Sequence, residues 1–121
     1  MNLLKETKRD IERFGKSPDD IEYIGSADGY CCTWAEFQTL AAIDYDRSYG
    51  AAEIATDLVI LFRDRTWMER GEYDGSEWWD YRTPPVPPPA DQRKPIAKLK
   101  DELWRTLKEI HEPEYDASDR F

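Results

Sequence analysis

The dipeptide Asp74-Gly75 lies between two alternating stretches, and no other feature limits the fold of this 121-residue chain as sharply. An Asp-Gly pair tolerates the positive φ that a two-residue type I′ turn needs, and that turn matches the twist of the strands it joins. Upstream, Thr66 to Tyr73 alternates: Trp67, Glu69, Gly71 and Tyr73 point one way, and Met68, Arg70 and Glu72 the other. Downstream, Glu77 to Arg82 returns with Trp79 and Tyr81 on one face and Trp78 and Asp80 on the opposite one. Asp57 to Phe62 is a short apolar run rich in β-formers, the natural inner strand. Arg63-Asp64-Arg65 supplies a tight polar connection. Residues 57–83 therefore read as three consecutive antiparallel strands.

Both faces of this ribbon carry large aromatics, which leaves two readings open. The ribbon is either a core with its rim, or one of its faces is an aromatic and acidic recognition surface, since Trp and Tyr bring large area with a polar handle to binding sites. On the second reading the contact residues are Glu69, Glu72, Tyr73, Asp74, Trp78 and Asp80, while Trp67, Trp79 and Leu103 belong to the core.

The remaining chain supplies the layer that covers the ribbon. Asn2 to Phe14 has apolar residues near helical spacing (Leu3, Leu4, Ile11, Phe14), interrupted by Thr7, with a basic outer side and Gly15 as a stop. Ile21 to Ile24 and Tyr30 to Cys32 read as a strand pair around the loop Ser26 to Gly29. Thr33-Trp-Ala-Glu36 fits a capping box and opens a helix to about Ala42, burying Trp34, Phe37, Leu40 and Ala41. Ile43 to Gly50 is a polar, aromatic-bearing loop. Pro84 to Pro89 is a stiff polyproline exit from the sheet, and its Arg-x-x-Pro-x-x-Pro pattern is also one that SH3 domains bind. Ile96, Leu99, Leu103, Leu107 and Ile110 form a stripe spaced by threes and fours, which predicts a helix from Pro95 to about Glu112. The expected order is α-β-β-α-β-β-β-α: an α+β fold, mainly antiparallel, with the C-terminal helix packed on one face of the sheet. One domain over 1–112 is expected, with a Pro-rich connector at 84–94 and an acidic tail at 113–121.

The net charge is −9 and is unevenly placed: residues 17–62 hold nine acidic side chains against one basic, a balance of −8. Such a field repels nucleic acid and favours a basic partner surface, unless it serves solubility alone. With five tryptophans, seven tyrosines and four phenylalanines, the chain is not a disordered acidic one. No apolar run reaches membrane-spanning length and the first residues lack a signal-peptide core, so a cytoplasmic protein is expected, with adjacent Cys31 and Cys32 as buried, unpaired thiols. A single histidine without a partner argues against Ser-His or Cys-His catalysis. No zinc-ligand spacing, calcium loop or Gly-rich phosphate loop is present. The expectation is a protein without enzymatic activity, metal or cofactor.

The run from Trp67 to Tyr81, preceded by Ala55 to Ile60, resembles a group of small, uncharacterised bacteriophage and prophage proteins with a W-x-E-R-x-E-Y-D-G-S-E-W-W segment after a strand. The resemblance spans roughly Ile21 to Thr83 and excludes the Pro-rich segment and the last helix. It implies a viral or mobile-element origin, a place in the host cytoplasm, and no established activity or functional residue. A phage-type acidic protein is expected to bind a host protein, an inhibitor of a nucleic-acid-binding defence enzyme being one such case. The alternatives are an assembly protein that dimerises through the ribbon, and a small-ligand binder that uses the Trp/Tyr face as a stacking platform.

Overall fold

A computed structural model describes residues 1–46, 51–103 and 105–112. Helix α1, Leu3–Arg13, is capped by the Asn2 side chain, which accepts from the Lys5 N–H. Strand β1, Ile21–Gly25, and the two-residue β2, Cys31–Cys32, form the predicted pair. A Cβ on Gly25 would lie 2.0 Å from the Tyr30 carbonyl oxygen, so this crossing needs glycine. Helix α2, Trp34–Leu40, starts at the predicted capping box: Thr33 Oγ1 accepts from the Glu36 N–H, and Glu36 Oε1 accepts from the Thr33 N–H. Strands β3, Val59–Phe62, β4, Trp67–Tyr73, and β5, Ser76–Arg82, complete a five-stranded antiparallel sheet of order β2-β1-β3-β4-β5. The apolar β3 is the inner strand. Between β4 and β5, Asp74 and Gly75 adopt φ of 52° and 85°, the predicted two-residue turn.

The alternation in β4 and β5 decides which face is covered. Ile24, Ile60, Phe62, Met68 and Trp79 are buried on the inner side, with Leu3 and Ile11 of α1 and Phe37 and Ala41 of α2 completing the core. Thr7, the apparent gap in the α1 stripe, is fully buried: its hydroxyl donates to the Leu3 carbonyl at 2.7 Å and accepts from the Trp79 indole at 3.0 Å. Phe14 stacks on Tyr81 at 4.9 Å, so α1 follows β5 along its length. Leu40 departs from expectation and is exposed, because the helix turns Phe37 and Ala41, four positions apart, toward the core and Leu40 away from it.

The chain divides into two compact units, Met1–Pro85 and Val86–Phe121, with the boundary in the Pro-rich stretch. In the second unit the long helix predicted over 95–112 is corrected: among the described residues of that range, only α3, Leu107–His111, is helical. Ile96, Leu99 and Leu103 are exposed there. Local polar bonds explain the outcome. The Asp101 carboxylate takes the Leu103 N–H at 2.7 Å, and a second capping box, Thr106 with Glu109, restarts the helix. His111 Nε2 accepts from the Ala97 N–H at 2.8 Å, holding residues 97–98 against α3 rather than in it. Trp104 and residues 113–121, where the acidic tail was expected, lie outside the described residues, as do positions 47–50 of the polar loop. Among the described residues no helix is long and apolar enough to cross a membrane.

Candidate functional site

Two different chemistries occupy the two faces of the β4–β5 ribbon. On the inner face, Arg70 pairs in register with Trp79, and its guanidinium lies 4.8 Å over that indole. Its side chain is almost fully buried and stands 3.5 Å from a carboxylate oxygen of Glu6 on α1 and 3.5 Å from one of Glu77 on β5. Tyr45 joins them. Its hydroxyl donates to Glu6 at 2.6 Å and accepts from Arg70 Nη2 at 2.9 Å. The N-terminus positions this ring: Tyr45 N–H donates to the Met1 carbonyl, and the Met1 ammonium donates to the Tyr45 carbonyl. Burial, and then the bond to Glu6, push the Tyr45 hydroxyl up to about 12. Glu77 uses its oxygens a second time, accepting from the Glu53 and Ile54 N–H groups. A buried cation thus has two carboxylates, a phenol and an aromatic face around it, the arrangement an interior charge needs to be tolerated.

The outer face is built from half-buried side chains. Trp67 donates its indole N–H to Glu69, and Trp78 donates to Asp80, each at 2.8 Å and each two residues along the strand. Glu69 and Asp80 are cross-strand partners, and Arg82 stands 3.6 Å from both carboxylates. Gly71 lies opposite Trp78, and a Cβ there would meet the indole nitrogen at 2.4 Å, so the glycine lets Trp78 lie flat across β4. Val59 and Leu61 of β3 lie beside Glu69 and Trp67 and extend this face.

Of the candidate contact residues, Glu69, Trp78 and Asp80 are brought together on the outer face. Tyr73 stands at the ribbon tip, 77% exposed, beside Asp74 in the turn. Glu72 is not brought to this face. It pairs with Glu77, follows the inner alternation, and spends its carboxylate on the Gly75 N–H of the turn. Trp79 is core as expected, at 1% exposure, whereas Trp67 is half-buried on the outer face and Leu103 is exposed. Cys31 is exposed rather than buried; Cys32 is half-buried, and burial raises its thiol above the ordinary value.

The inner network is what reading the sequence missed. Arg70 shares its alternation with Met68, a signal that it points inward, yet Glu6 lies 64 positions away and nothing local connects them.

An open groove of about 590 Å³ runs where α1 passes the β5 edge, lined by Arg9, Asp10, Arg13, Trp78, Trp79 and Asp80. Among the described residues, no group of three or more His, Cys, Asp or Glu side chains is placed to hold a metal ion. Comparison with family models, curated proteins and solved structures finds no match to this chain.

Proposed function

We propose that this chain is a non-enzymatic interaction protein of phage or prophage type that binds a host protein through the outer face of the β4–β5 ribbon. The observation that carries the reading is the pairing of half-buried Trp67 and Trp78 with the carboxylates of Glu69 and Asp80, beside exposed Tyr73. Tryptophans already tied in place bring contact area with little ordering entropy to lose, which is how aromatic anchors act at interfaces. The net charge of −9 favours a partner with a basic surface and steers its approach. A phosphate-like acidic row is the less favoured version of an inhibitor, because Arg82 stands beside both carboxylates of this face and offsets half of their charge. The host cytoplasm is the proposed setting.

The test is an affinity capture from bacterial lysate at low and high salt, run in parallel with Trp78→Ala and Glu69→Gln/Asp80→Asn variants whose folding is checked by circular dichroism. A partner held by the wild-type chain, lost with Trp78→Ala and weakened at high salt, supports the reading. A partner indifferent to every outer-face substitution places the interface elsewhere and defeats it.

A second reading, self-association through the ribbon, is favoured by one observation: β5 is a seven-residue edge strand. A monomer mass by light scattering across a hundredfold concentration range removes it.

A further inference from the structure

The outer face of the sheet carries half-buried aromatic and aliphatic side chains, Tyr23, Leu61, Trp67 and Trp78 among them, and none of these four belongs to the core cluster. Glu69 and Asp80 face one another in the middle of the β4–β5 ribbon, with Trp67 and Trp78 two residues to either side, roughly 7 Å along the strands. Both indoles donate toward the middle, Trp67 to Glu69 Oε1 and Trp78 to Asp80 Oδ1. Each carboxylate thereby keeps a second oxygen, Glu69 Oε2 and Asp80 Oδ2, that accepts no hydrogen bond among the described residues. The two acidic side chains are 40% and 34% exposed, so those oxygens are open to a visitor.

This pair already holds one cation of the chain itself. Arg82 Nε stands 3.6 Å from Glu69 and its Nη2 stands 3.6 Å from Asp80. Both distances exceed hydrogen-bond reach. The Arg82 side chain is 55% exposed, it ends β5, and the chain turns into the Pro-rich stretch two residues later. A guanidinium therefore fits between these carboxylates, and this one is held there loosely. One cation against two carboxylates leaves the seat with a charge of −1, and no other ion pair reaches either acid among the described residues.

We infer that Arg82 is a placeholder in a seat for an arginine side chain of a partner protein. The incoming guanidinium takes the place of Arg82 between Glu69 and Asp80, bonds to their free oxygens, and lies against the indole of Trp78, which Gly71 lets present its flat side. Arginine suits the seat better than lysine: a planar fork spans two carboxylates and stacks on an indole, whereas an ammonium is a point charge. Leaving costs Arg82 little, because loose exposed pairs contribute little. A second copy fits less well, since it brings its own net charge of −9. The inference rests on reading the outer face as the interface, and names the partner side chain that this face receives.

The test is two-dimensional NMR on the isotope-labelled full chain, following the indole N–H signals of Trp67 and Trp78. The probes are the capped pentapeptide Gly-Thr-Arg-Thr-Gly, its citrulline and lysine counterparts, and free arginine amide. The arginine peptide is expected to move both indole signals and to bind about tenfold more tightly than the citrulline peptide, which keeps the shape and loses the charge. Arg82→Gln is expected to tighten that binding by about fivefold, the upper range for an exposed ion pair. Arg65→Gln removes an exposed arginine paired with Glu22 in place of Arg82, and is expected to change the binding far less. Equal binding of the citrulline or lysine peptide, an Arg82→Gln effect no larger than that of Arg65→Gln, or unmoved indole signals overturns the proposal. Free arginine amide binding as tightly as the peptide assigns the seat to small guanidines and overturns the partner-protein reading. The probe series uses the unmodified chain, so the test stands even if Arg82→Gln fails to fold. A host partner that depends on Trp78 but is indifferent to Glu69→Gln/Asp80→Asn defeats the seat and leaves the outer-face reading intact. Indifference to all of these substitutions defeats both.

Discussion

The guanidinium of Arg70 lies 4.8 Å above the centre of the Trp79 indole, its register partner on the neighbouring strand. This contact sits between two buried carboxylates, those of Glu6 and Glu77, so the cation is the group that makes both tolerable in the interior. Removing it strands two like charges. Arg70→Met is therefore expected to destabilise the fold by about 3–5 kcal/mol, read as a lowered urea midpoint at unchanged slope. Arg70→Lys is expected to recover little, because one ammonium cannot replace a fork that reaches both acids and the phenol. A midpoint equal to wild type for Arg70→Met contradicts the network.

Tyr45 tests the same cluster from the other side. Its hydroxyl both donates to Glu6 and accepts from Arg70, and Tyr45→Phe leaves both charged partners short of a bond. The expected loss is about 2–3 kcal/mol. The alkaline limb follows from its raised value of about 12. A tyrosine held protonated by the fold contributes stability that is complete below pH 10, its ordinary value, and is lost as pH rises through about 12. Ultraviolet difference titration at the tyrosinate band should show one tyrosine ionising last, and Tyr45→Phe should remove that step.

Lys16 and Asp64 form a surface pair beside the β3–β4 connection, with the ammonium also 5.8 Å from the Phe62 ring. The bond from Lys16, followed by those from Thr66, holds the Asp64 carboxyl down at about 2. The sign is opposite to that of Tyr45. A depressed carboxyl contributes stability that is present above its ordinary 3.8 and is lost as pH falls through about 2. Asp64→Asn should flatten the acid limb between those values and lose the same, small contribution at neutral pH, since exposed pairs contribute little. A carboxyl NMR titration with an ordinary midpoint for Asp64 would falsify the pairing.

Gly71 is expected to accept no side chain without moving Trp78. A Cβ at this position meets the indole nitrogen at 2.4 Å and an Asp80 oxygen at 2.5 Å. Gly71→Ala should lift the indole off β4, break its bond to Asp80, and cost about 1–3 kcal/mol as overpacking. Tryptophan emission should shift to the red, and the shift should disappear in a Trp78→Phe background.

Much of the first unit was legible in the residues, because its signals are local. Asp74-Gly75 has few backbone choices, so the turn and the register of β4 on β5 followed from it. The capping box at Thr33 closes on itself within four residues. The C-terminal stripe was misleading for a physical reason. Periodicity describes a face that a helix would have, whereas short helices depend on tertiary packing of that face, and Asp101 and Thr106 offered the backbone nearer partners. The box Thr106-Leu-Lys-Glu109 was the available warning, since it marks a helix start ten residues after Ile96.

By itself the sequence determined the α+β class, the order of elements, the inner strand and the turn, all set by nearest neighbours and by a period of two or 3.6 residues. Only the tertiary structure decided which ribbon face is buried. It also decided that Glu6, Tyr45, Arg70 and Glu77 converge, and that Arg9 and Arg13 line a groove beside β5. Those contacts join residues tens of positions apart, and their energies exist only once the surrounding chain has excluded water from around them.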